Sequence, residues 1–153
     1  AGIIIAIKAG VNVVEYLSFI IASLLLSMAY ISISILFSSL LKKRSTALGI
    51  AIFIWFLFGM IWGLVLFGIL VIEYGTDIVM QENWAAPDWY YIAAMMSPNQ
   101  SFDMFVVMNV KPLYELQRMY LPSYCGLFSP IVLIFWIIIP LLLGIFFFEK
   151  RDL

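Results

Sequence analysis

Residues 17–72 read "LSFIIASLLLSMAYISISILFSSLLKKRSTALGIAIFIWFLFGMIWGLVLFGILVI", two charge-free apolar runs separated by one cluster of cations. Crossing a bilayer takes about 20 mostly apolar residues in a helix. The runs 17–41 and 46–72 both meet that length, so this stretch predicts two antiparallel transmembrane helices joined by a tight turn. Lys42, Lys43 and Arg44 in the turn place it on the cytoplasmic side, because short basic loops are retained there.

Working outward, residues 130–148, "PIVLIFWIIIPLLLGIFFF", form a third apolar run, in which Pro140 is expected to introduce a kink. Residues 1–7 read as the last turns of a truncated fourth helix, so the chain is expected to continue before Ala1. Lys8, Asn12 and Glu15 in residues 8–16 would belong to a short connector that seeks water. The expected fold is all-α, a polytopic helical membrane protein with three full transmembrane helices plus a truncated one. Residues 1–153 make one transmembrane domain, with no internal repeat.

Composition agrees. Apolar residues make up 65% of the 153 and charged residues 11%, against about 45–50% and 25% in soluble domains. Mean hydropathy is +1.12. A net charge of −1 argues against nucleic acid as a partner, and membrane lipid is the expected surrounding. With no histidine and the single Cys125, the chain by itself offers no His-ligated haem, no zinc site and no Ser-His-Asp triad. Met95, Met96, Met104 and Met108 lie close in sequence, but thioethers without histidine read as flexible apolar filler rather than a copper site. No phosphate-binding glycine loop and no nucleophile motif is present. No cofactor and no catalytic residue is expected.

Residues 73–129 are too long for a plain loop. They hold Glu73, Asp77, Glu82, Asp88, Asp103 and Glu115 against Lys111 and Arg118, and many tyrosines and tryptophans. That balance places them outside the cell, with the rings at headgroup level. Within them, "MMSPNQSFDMFVVMNV" (95–110) starts a helix. Ser97 is the cap, Pro98 takes the first helical position, and Gln100 completes a capping box. At some 13 residues this helix is too short to cross. Its polar arc of Asn99, Gln100 and Asp103 is interrupted by Val107 and Val110. It is expected to lie at the interface, or to re-enter, packed on the outer ends of the spans.

Two patterns inside the spans admit two readings each. Gly59 and Gly63 form a GxxxG motif, which lets helix backbones touch either across a dimer seam or within the chain. Ser23, Ser27, Ser34 and Ser38 fall near one stripe of the first span. They can line a transport path, or form a packing face whose hydroxyls bond back to the carbonyl four residues earlier. No span holds an ionisable residue in its core, which counts against a proton- or ion-coupled carrier.

The stretches "SSLLKKRSTALGIAI", "YIAAMMSPNQSFDMFVV" and "GIFFFEKRDL", in that order, resemble the C-terminal half of an ABC-2 type permease, the membrane subunit of an ATP-binding-cassette transporter. "SPNQSFDMFVV" is most similar to the branch of the nitrous oxide reductase maturation permease. The resemblance implies that residues 1–7 end the third helix and that helices four to six follow. It also implies a homo- or hetero-dimer of permeases in the cell membrane, a cytoplasmic ABC ATPase as partner, and short outer helices acting as an extracytoplasmic gate. The family's ATPase contacts would precede these residues. The competing expectation is an accessory, non-catalytic subunit of a larger membrane complex. A channel is a third reading, for which no filter motif is found.

Overall fold

The computed structural model describes residues 12–41, 43–81, 84–110 and 121–149. The truncated helix expected at 1–7, Lys42, and the end of the chain from residue 150 lie outside the described residues.

Helix α1 spans Val13–Leu40. It starts earlier than hydropathy alone predicts, because Asn12 and Glu15 form its cap. The Asn12 backbone N–H donates to Glu15 Oε2 at 3.1 Å, and Glu15 is buried. The acid expected to seek water as part of a connector instead satisfies an orphan donor at a helix N-terminus.

After the turn, α2 (Arg44–Phe56) and α3 (Trp62–Tyr74) form one continuous span through a π-helical turn, Leu57–Ile61. Gly75, at φ 83°, stops it; glycine adopts that left-handed backbone without a Cβ clash. A single turn, α4 (Thr76–Val79), follows. Next come two short helices, α5 (Asp88–Met95) and α6 (Pro98–Asn109), and a long final one, α7 (Tyr124–Glu149). Helix α7 begins six residues before Pro130, where a proline would ordinarily mark a helix start, and runs through both Pro130 and Pro140. No strand occurs among the described residues. Three helices, Val13–Leu40, Ser45–Tyr74 and Tyr124–Glu149, are long and apolar enough to cross a membrane.

Spans α1 and α7 form the main helix pair. Lipid-facing chains gain nothing from hydrophobic burial between helices, so close packing of small residues must hold such a pair together. Gly144 supplies one such approach, since a Cβ there would sit 3.3 Å from the Leu36 Cα. Ala22, Ala29 and Ser129 are fully buried. Large side chains such as Ile31, Leu64 and Phe135 point outward, the inverse of a soluble core.

The two short helices form a hairpin that descends into the bundle. Its base is tied to one end: Trp84 packs on Tyr74 at the end of α3, with ring centroids 5.6 Å apart. Tyr124, the first residue of α7, donates to Asp88 Oδ1 at 3.0 Å. Its tip, Met96–Pro98, contacts Phe58 and Trp136, which lie near the midpoints of their spans. At 1.5 Å per residue α6 is about 18 Å long, close to half of a ~30 Å hydrocarbon layer. The segment therefore reaches to about the middle of the spans. It does not lie flat, and this explains its poor amphipathicity: Ser101, Met104, Val106 and Val107 are all buried, by neighbours on several sides.

Candidate functional site

Backbone at mid-membrane depth cannot turn to water for hydrogen bonds, so a hairpin tip there must be satisfied by protein. The end of α5 is met by side chains from three other helices. Trp62 Nε1 donates to the Ala93 carbonyl at 3.0 Å, Ser101 Oγ to Met95 at 2.6 Å, and Trp136 Nε1 to Met96 at 3.0 Å. Across the tip, Ser97 caps α6 by accepting the Gln100 N–H at 3.4 Å. Its own hydroxyl donates to the Phe58 carbonyl at 3.0 Å. Phe58 belongs to the π-turn, whose wide backbone loosens the regular ladder and makes a carbonyl available. Among the described residues no buried side-chain nitrogen or oxygen lacks a partner.

Ser97 and Gln100 thus take the cap geometry expected of them only in part. The backbone half of the box is made, while the Gln100 side chain turns toward Gly63, where a Cβ would lie 3.3 Å from Nε2. Asn99 does the same at Gly59, with 2.8 Å to Nδ2. The two glycines that read as a helix-packing motif therefore seat two amide side chains of the hairpin on this face of the span. Another face of the span is exposed, as at Met60 and Leu64.

Asn99 also reaches α1. Tyr30 donates to Asn99 Oδ1 at 2.5 Å, joining positions 69 residues apart in sequence. Around this contact an open groove of about 480 Å³ lies between α1 and α2, its Leu48, Ile52 and Trp55 side chains more than half exposed. Ser27, Tyr30 and Ser34 line one wall and Leu48, Ile52 and Trp55 the other, with Asn99 also on the lining. Ser27 and Ser34 from the serine stripe thus border it. Ser23 is not on its wall, and neither is Ser38, which is exposed. The hydroxyls of Ser23, Ser27 and Ser34 each donate to the carbonyl four residues back, at 2.7–2.8 Å. Lys43 is exposed at the turn; Arg44 opens α2.

A larger groove of about 800 Å³ lies between α5 and α7, walled by Ile92, Met96, Phe128, Phe135 and Ile139 among others. Ligand sites combine an apolar lining with a few convergent polar groups. The larger groove is almost wholly hydrocarbon, so the smaller one beside Asn99 is the better candidate. No group of three or more metal-ligating side chains occurs among the described residues.

Long apolar spans, small-residue packing and a helical hairpin whose tip is satisfied by its neighbours define an all-α multi-pass membrane protein. The family model described as ABC-2 family transporter protein matches residues 1–153, and the chain belongs to that family of membrane transport components, which in general work with an ABC ATPase. No curated protein and no solved structure matches the chain.

Sequence reasoning did not reach Tyr30, Trp62 and Trp136 as partners of the hairpin, nor the Ser101–Met95 bond inside it. The available signal was the coincidence of a GxxxG motif with an Asn-Gln pair on a helix too short to cross.

Proposed function

We propose that the chain is the permease subunit of an ATP-binding-cassette transporter, with the α5–α6 hairpin as its extracytoplasmic gate and the groove beside Asn99 as the chamber the gate closes. The observation carrying this reading is the Tyr30–Asn99 hydrogen bond at mid-depth. It ties the hairpin tip to the first span at the wall of the groove. A hairpin serving packing alone would gain more from apolar contacts there, because a polar pair buried in hydrocarbon contributes only about 1 kcal/mol net.

In this reading the Lys43 turn is cytoplasmic and the hairpin base faces outward, consistent with the basic turn and the acidic 73–129 segment. A cytoplasmic ATPase supplies the energy and the chain itself performs no catalysis. A second permease packs on the exposed face of the α2–α3 span, and the assembly sits in the cell membrane among lipids. The likeness of "SPNQSFDMFVV" supports the nitrous oxide reductase maturation branch as the narrower assignment; co-purification from the native membrane with that branch's ATPase checks it.

The gate is tested by tethering it. In the assembled permease–ATPase complex, with Cys125→Ala as background, Tyr30→Cys and Asn99→Cys are bridged by a short bis-methanethiosulfonate reagent. ATP hydrolysis should fall at least tenfold on bridging and recover with reductant, while each single cysteine is insensitive to the reagent. Full hydrolysis in the bridged protein removes the gate assignment.

A further inference from the structure

The groove beside Asn99 has a chemistry of its own. Every hydrogen-bonding group on its wall is uncharged. On the α1 side three hydroxyls have already committed their protons: Ser27 to the Ser23 carbonyl at 2.7 Å, Ser34 to the Tyr30 carbonyl at 2.8 Å, and Tyr30 to Asn99 Oδ1 at 2.5 Å. A hydroxyl has one proton and two lone pairs, so what these oxygens have left to offer a ligand is acceptor capacity. The opposite wall is hydrocarbon and indole, from Leu48, Ile52 and Trp55.

Charge decides the class of ligand. An ion without an opposing charge is costly at this depth, by several kcal/mol after all relaxation. No Lys, Arg, Asp or Glu lines the groove. A volume of about 480 Å³ falls within the range for a small organic ligand.

We infer that this groove binds an uncharged amphiphile, one that donates a hydroxyl or amide hydrogen bond to the α1 wall and lays its apolar body against Trp55, and that it excludes anions. The inference rests on reading the groove as the chamber of the transporter, and deepens that reading by naming the substrate class.

Trp55 supplies the readout. The permease–ATPase complex in nanodiscs is titrated with 11-bromoundecanol, with 11-bromoundecanoate and with 11-bromoundecyl-trimethylammonium, three chains alike except in charge. Heavy-atom quenching of indole is followed as the difference between the native protein and Trp55→Phe. The alcohol should quench this difference signal saturably, with an apparent affinity at least tenfold above the acid and the ammonium. Ser27→Ala with Ser34→Ala should weaken the alcohol several-fold; Asn99→Leu, which rebuilds that part of the lining, is a second variant should the serine pair prove unstable. Quenching that rises linearly for all three probes reflects bilayer partition and overturns the inference. So does saturable quenching of equal strength by either charged chain. Because the tether between positions 30 and 99 reports on hydrolysis and the titration on binding, saturable alcohol binding in a protein whose bridged form still hydrolyses ATP retains the ligand class and removes the gate.

Discussion

Gly59→Leu is expected to detach the hairpin tip and to cost about 3 kcal/mol, while Gly68→Leu in the same span is nearly neutral. Even a bare Cβ at Gly59 would lie 2.8 Å from Asn99 Nδ2, inside any tolerable contact. The amide can retreat, but only by giving up the Tyr30 hydroxyl. The remaining atoms of leucine then press on the first turn of α6. Overpacking of this kind costs about 1–3 kcal/mol, and a polar pair left unmade adds about 1–3 more. At Gly68 nothing lies within 4 Å of the Cβ position, so leucine there meets open surface. Gly63, with Gln100 Nε2 at 3.3 Å, should fall between. Melting temperatures of the three variants in one detergent give the order, and equal losses at 59 and 68 contradict the seating of Asn99 on the span. ATP hydrolysis by the assembled complex should follow the same order.

The second large effect concerns backbone rather than packing. Trp136→Phe combined with Ser101→Ala leaves the Met96 and Met95 carbonyls without the donors that reach them. Each orphaned acceptor costs about 1–3 kcal/mol, and no water replaces the donor at this depth. The pair together should lose about 3–5 kcal/mol by that principle, with accelerated hydrogen exchange confined to 88–101. Trp62→Phe makes an internal comparison. Its carbonyl acceptor, Ala93, also receives the Met96 N–H at 3.2 Å, so this variant should cost distinctly less. If Trp62→Phe proves as damaging as the double replacement, ring packing rather than carbonyl satisfaction holds the hairpin.

Hydropathy was sufficient to find the three spans, because a bilayer demands length and apolarity and little else. Their ends were less legible. Residue 13 opens α1 through a cap built from Asn12 and Glu15, and polar residues of that kind look like a loop when scored for greasiness. The start of the hairpin's second arm was readable at Ser97, since the cap is local. Its depth was not. Asn99 and Gln100 suggest water when read alone, and their actual neighbours are Tyr30, Gly59 and Gly63, each dozens of residues away. The same limit hid Trp62 and Trp136, whose indoles could have sat at a headgroup belt but bond the end of α5 instead.

The π-turn at Leu57–Ile61 has a bearing on how the gene can vary. A turn of this type holds one residue more than an α-helix spends on the same rise. Loss of a single codon between 57 and 61 would leave both halves of the span in the rotational phase they already have, whereas the same loss in α1 would swing every following side chain by about 100°. Length differences among natural versions of this helix should accordingly gather at this one spot, and versions lacking the extra residue would have to hold Ser97 without the Phe58 carbonyl.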